Sequence, residues 1–159
     1  MGSLIQTIDL PVNYFRPSDS VPEGFDIFTM EINMTLKATG MNISFHEQDG
    51  VIIRHFAGKV YLPDMVESWH LLFEKYNNLK DYRGILTSFL DAEIILQDRN
   101  MGELVDFLKD HMERIQDMKI AIVMDTPMVT NTIILAKRMK SLQIKPFTTI
   151  EAAMSWLRA

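Results

Sequence analysis

Lys119-Ile-Ala-Ile-Val-Met124, followed by Asp125-Thr-Pro127, is the stretch that decides the fold. An apolar run gives way at once to a capping residue and a proline, the mark of a strand passing into a helix. Thr126 caps, and Pro127 takes the first helical turn, where its missing N–H leaves no bond unmade. Val129, Ile133 and Ala136, flanked by Met128, Leu135 and Met139, recur at helical spacing and predict the packed face of a helix over residues 128–141. Ile144 to Phe147 predicts the next strand. Thr148 with Glu151 predicts a capping box, opening a last helix that turns Ile150, Ala153, Met154 and Leu157 inward. Strand, helix, strand, helix in close succession means helices packed on a sheet, the α/β class.

Working outward, residues 83–91 predict a covered strand, because Ile85, Leu86, Phe89 and Leu90 are too apolar for a surface position. Residues 92–100 predict an irregular connection. Asn100 with Glu103 caps a helix whose buried stripe is Met101, Leu104, Val105, Leu108, Met112 and Ile115. Upstream, Asp64 with Glu67 predicts another capping box, for a helix burying Met65, Val66, Trp69, Leu72, Phe73 and Tyr76. Gln48-Asp49-Gly50 predicts a hairpin, since Asp-Gly accepts the positive φ values of a tight turn. It joins an alternating strand (Met41, Ile43, Phe45) to a returning strand over residues 51–60. Residues 28–37 alternate strictly between apolar and polar, a period of two that predicts one further strand. Before it, Pro11, Pro17 and Pro22 predict an irregular arm. The expected organisation is an N-terminal extension over residues 1–40 and one α/β domain over residues 41–159.

Bulk composition narrows the function. A net charge of −5 disfavours nucleic acid and anionic membranes as partners. The absence of cysteine removes disulfides, thiol nucleophiles and thiolate metal sites. No apolar run approaches the roughly 20 residues that span a bilayer, and no basic segment leads into an apolar core at the start. The expectation is a cytoplasmic protein without a membrane span.

In open α/β sheets, ligands gather beyond the carboxyl ends of the parallel strands. That edge carries Lys59 and Asp64, then Asp91 and Asp98, then Asp125 and Thr126, and these six are the candidate ligand-binding residues. Hard carboxylate oxygens suit Mg²⁺, but acids at helix starts are equally explained by capping and the helix dipole. No metal site and no cofactor is assigned. His46, His55, His70 and His111 include no pair at the i, i+4 spacing of a zinc helix, although His46 and His55 flank the hairpin and could face each other across it. No G-x-S-x-G and no glycine-rich phosphate loop occurs, so no catalytic residue is assigned. The 12 methionines are read as core filling.

Phe56-Ala-Gly-Lys59, Ala121-Ile-Val-Met-Asp125 and Phe147-Thr-Thr-Ile-Glu-Ala-Ala153 with Trp156-Leu157, taken in this order, resemble the SpoIIAA-like branch of the STAS superfamily of sulphate-transporter domains and anti-sigma-factor antagonists. The resemblance implies a mixed, largely parallel sheet of about five strands with about four helices packed on it. It also implies a regulatory role through protein partners, without chemistry common to the branch. Antagonists in the superfamily are switched by phosphorylation of a serine in an Asp-Ser-Ser-Gly-like motif. Here Asp98-Arg99-Asn100-Met101-Gly102 stands at that place, and Arg99 and Asn100 can carry no phosphate. The leading expectation is therefore a non-enzymatic regulatory or protein-interaction module without that switch, acting on a protein partner or through self-association as a homodimer. The alternative is a small-ligand or lipid-binding protein with an apolar pocket between sheet and helices near Trp69, Phe89 and Met124.

Overall fold

The computed structural model describes residues 8–9, 32–36, 41–95, 101–125 and 129–159. Seven strands form one sheet in strict chain order: β1 (Ile8–Asp9), β2 (Ile32–Leu36), β3 (Met41–Gln48), β4 (Val51–Tyr61), β5 (Gly84–Ile95), β6 (Lys119–Val123) and β7 (Gln143–Phe147). β3 to β7 are the expected mixed five-stranded sheet, with β3–β4 antiparallel and the later pairs parallel. β1 and β2, from the N-terminal arm, extend it antiparallel on the β3 side. At the β3–β4 turn, Asp49 and Gly50 both take positive φ, 54° and 75°, the pairing that the right-handed twist of a two-residue hairpin demands. Pro146 in β7 lacks a ladder donor, which an edge strand tolerates.

The helices are α1 (Leu62–Lys75), α2 (Gly102–Asp110), α3 (Met112–Ile115), α4 (Val129–Arg138) and α5 (Ile150–Arg158). From β4 to β7 every crossover steps the same way across the sheet. Right-handed crossovers then place α1 to α4 on one face, and of the described helices only α5, after the last strand, returns over the other. Side-chain alternation follows. Ile52, Phe56, Ile85, Phe89, Ile120 and Ile122 join the core under α1–α4, whereas Val51, Ile53, Leu86, Ala121 and Val123 meet Ala153, Met154 and Leu157 of α5.

Several local expectations shift. The first helix starts at Leu62, with Asp64 at its third position rather than its cap: the Asp64 carboxylate accepts the Tyr61 N–H at 2.8 Å. The connection expected over 92–100 is strand as far as Ile95, because β5 pairs with the far end of β4, Tyr61↔Ile95. The helix read as continuous over 101–115 breaks at His111. There the ring Nδ1–H donates to the Phe107 carbonyl at 2.8 Å, taking the acceptor that the His111 amide would use in a helix, and the amide turns to Leu108 instead. Thr149, not Thr148, caps the last helix, its hydroxyl accepting the Ala152 N–H at 3.3 Å. Ile133 and Ile150, expected inward, are exposed, and α4 instead buries Thr132 and Leu135, with Met139 just beyond its end. Asn100, residues 126–128 and residues 28–31 lie outside the described residues.

Candidate functional site

Two positions break the apolar rule on the helix-covered face of the sheet. Arg54 shares the inward parity of Ile52 and Phe56 on β4, and Thr87 shares that of Ile85 and Phe89 on the neighbouring strand; the register pairs them directly. Arg54 is 4% exposed and Thr87 1%. The guanidinium donates from Nε and Nη2 to Thr87 Oγ1, at 3.2 and 2.9 Å, and from Nη1 to Ser68 Oγ of α1, at 3.0 Å. The Ser68 hydroxyl in turn donates to the Met65 carbonyl at 2.6 Å. The guanidinium carbon lies 4.4 Å from the centre of the Trp69 ring and 5.4 Å from that of Phe56, so two aromatic faces flank the cation.

Among the described residues no carboxylate pairs with Arg54. Loss of solvation on burial pulls its pKa down from 12.5 to about 9, which leaves it a cation at neutral pH. A buried charge is ordinarily matched by an opposite one, because hydroxyl dipoles replace only part of its hydration. The three hydrogen bonds use three of the five guanidinium N–H donors.

Arg54 and Thr87 line a cavity of about 60 Å³ between the sheet and α1, α2 and α4. Asn131 and Thr132 of α4 are its other polar lining residues, and the rest of the wall is apolar, with Trp69, Phe89, Leu104, Ile122, Met124 and Leu135 representative. Trp69, Phe89 and Met124, named from the sequence, all line it. Sequence reasoning missed Arg54, yet a signal existed: a strand in which every second residue is buried and apolar places position 54 in the interior.

The strand carboxyl edge is a different region. Lys59 is exposed and lies opposite Glu93 in register. Asp64 is 3% exposed and occupied with the start of α1. β5 carries one extra residue between the pairs His55↔Ser88 and Ala57↔Asp91. This bulge reverses the alternation, so that Ala92 and Ile94 pack under the helices and Asp91 turns to the opposite face. Asp91 there accepts from His55 Nε2 at 2.8 Å, an open pair with side chains 30% (His55) and 70% (Asp91) exposed. Asp125 is exposed at the end of β6, and Asp98 and Thr126 lie outside the described residues. Asp64 and Asp91 are thus separated by the sheet. Among the described residues no group of three or more His, Asp or Glu side chains is placed to hold a metal ion.

The histidines divide in a way the sequence did not reveal. His46 pairs with Ile53 and His55 with Ser44, so the two are offset along the hairpin rather than facing. His70 of α1 and His111 after α2 converge with Phe73 and Phe107, the two imidazoles 6.1 Å apart edge to face. At the opposite end of the sheet, the Tyr82 hydroxyl donates to Glu47 at 2.9 Å. Burial, then that bond and the charge of Glu47, push Tyr82 up to about 12. Burial, then Glu47 and Tyr82, raise Tyr76 as well, and its buried hydroxyl has no hydrogen-bond partner among the described residues.

Sheet order, crossover hand and the single returning helix define an α/β protein of the SpoIIAA-like fold. Two solved structures carry the likeness. An uncharacterized protein of the DUF3478 family with a SpoIIAA-like fold, from Shewanella loihica PV-4, matches over 75% of this chain and 94% of its own at 15% identity, with a TM-score of 0.52. An anti-sigma factor antagonist from Mycobacterium paratuberculosis matches over 75% and 95% at 14% identity, with a TM-score of 0.51. No family model matches the sequence, and no curated protein matches it significantly. No described helix is long and apolar enough to cross a membrane.

Proposed function

We propose that the protein is a non-enzymatic binding module of SpoIIAA-like type that holds a small, largely apolar ligand in the cavity under α1, α2 and α4. The cavity itself carries the reading: a well-packed interior contains few voids larger than a water molecule, and this one has room for about five. In this reading residues 41–159 form the binding unit and residues 1–40 an extension, and the ligand sits in the cavity rather than among Lys59, Asp64, Asp91, Asp98, Asp125 and Thr126. The test is a panel of three- and four-carbon compounds titrated into the full chain and followed by amide NMR. Shifts should concentrate at Trp69, Phe89, Leu104 and Met124, and Ile122→Phe, which fills the cavity, should abolish them. Absence of any saturable shift at millimolar ligand would sink the reading.

A regulatory role through a protein partner or a homodimer is the second reading. It is supported by the likeness to an anti-sigma factor antagonist and by Ile133 and Ile134 of α4, which are 43% and 42% exposed side by side. It dispenses with a phosphoserine switch, because Arg99 and Asn100 replace the serines. Light scattering on the intact chain and on Ile133→Lys/Ile134→Lys tests self-association through α4. A mass that is monomeric for both would remove the homodimer.

A further inference from the structure

The cavity's chemistry says more than its size. Mainly apolar walls with Arg54 as the one charged residue among the described lining match a molecule with one anionic head and an apolar body, and the head must reach Arg54. Resting on the cavity as the ligand site, we infer that the bound molecule is a short-chain aliphatic carboxylate, its carboxyl group paired with the Arg54 guanidinium and its hydrocarbon between Phe89, Ile122, Met124 and Leu135.

Three observations converge. First, Arg54 has donors beyond those given to Thr87 and Ser68, one remaining on each terminal nitrogen, the arrangement that a carboxylate meets with two oxygens. Second, Thr87, Ser68, Trp69 and Phe56 hold the guanidinium from below and from its flanks, so its orientation is set before any ligand arrives. A preordered fork loses little entropy when it binds. Third, the described surroundings contain hydroxyls and aromatic rings but no anion, so a carboxylate would be the first full counter-charge that the buried cation meets. The size is restrictive too. Room for about five waters is roughly 150 Å³ of liquid, which a four-carbon acid fills and a six-carbon acid or a long-chain lipid exceeds.

Sodium butyrate and 1-butanol, titrated separately by calorimetry into the wild-type chain, Arg54→Met and Arg54→Lys, test the assignment. Wild type should bind butyrate about a hundredfold more tightly than butanol, the ratio expected for a buried charge-assisted pair. Arg54→Met should lose that preference while still binding butanol, and Arg54→Lys, with charge but no fork, should retain part of it. Equal binding of butyrate and butanol by wild type would overturn the carboxylate assignment and leave the cavity reading standing. Binding of neither would overturn both. The wild-type comparison decides even where a variant fails to fold.

Discussion

If Arg54 is present for a ligand, the ligand-free protein should be more stable without it. Arg54→Met with Thr87→Val replaces the cation and its main acceptor by hydrocarbon of similar volume. A pKa lowered from 12.5 to about 9 corresponds to roughly 5 kcal/mol lost by the charged form on burial. Against that stand bonds to two hydroxyl acceptors, worth about 1.5–3 kcal/mol each when the donor is charged, and a cation–π contribution of about 2 kcal/mol. These sum to about 5–8 kcal/mol, so they offset the loss with a surplus of at most about 3 kcal/mol. The hydrophobic replacement adds favourable packing that the cation lacks, as when buried ion pairs elsewhere give way to apolar residues with gains of about 1–4 kcal/mol. Thr87→Val is included because Arg54→Met alone would strand the Thr87 oxygen; Ser68 keeps its bond to Met65. Urea unfolding at pH 7 should show a higher midpoint with an unchanged slope, and the melting temperature should rise by about 2–4 °C per kcal/mol. The pH dependence carries a sign. A folded-state pKa below the unfolded value means that the unfolded chain holds more protons, so wild-type stability should rise as pH climbs above about 9, a component that the double variant lacks. Destabilisation of the double variant by more than about 1 kcal/mol would refute the reasoning and make Arg54 a structural residue of the core.

Three further outcomes follow from the same structure. Gly84→Ala should destabilise by about 3 kcal/mol in thermal unfolding, because a Cβ there would stand 2.4 Å from the Lys119 carbonyl oxygen and 2.7 Å from Leu157 Cδ2; a change below about 0.5 kcal/mol would contradict the close approach of β5, β6 and α5. Tyr82, followed by its phenolate absorbance, should titrate near 12, and Glu47→Gln should lower that value. Since its folded pKa is the raised one, the stability it contributes is complete below about pH 10 and is lost as pH climbs through 12; titration near 10 in the intact protein would remove the Glu47 contact. Tyr76→Phe should be neutral or stabilising by up to about 1 kcal/mol, since it deletes a buried hydroxyl without a described partner; a loss above 1 kcal/mol in urea unfolding would show that the hydroxyl is bonded.

Much of the fold was legible because it rests on local signals. Period-two alternation marked β3, the Asp49-Gly50 pair marked the hairpin, and apolar stripes marked α1, α2 and α5. Boundaries moved where tertiary contact outvoted local chemistry. Ile95 is strand because Tyr61 lies beside it, and His111 ends α2 because its ring takes a backbone acceptor. The exposure of Ile133 has the same origin: α4 packs on the edge strand β7, so a narrower stripe of it is covered than its apolar content suggests.

The sequence by itself determined the fold class of the protein, its order of main elements and its lack of thiols, since each depends on residue type and spacing along the chain. Only the tertiary structure decided which charged groups meet. Asp64 and Asp91, both conspicuous in the sequence, are divided by the sheet and by a one-residue bulge that turns Asp91 to the other face. Arg54, inconspicuous in a run of strand residues, lines a mainly apolar cavity with hydroxyls and aromatic rings around its guanidinium. A bulge and a crossover hand are invisible in residue spacing, yet they set the distance and the dielectric between charges, and those govern what a site can bind.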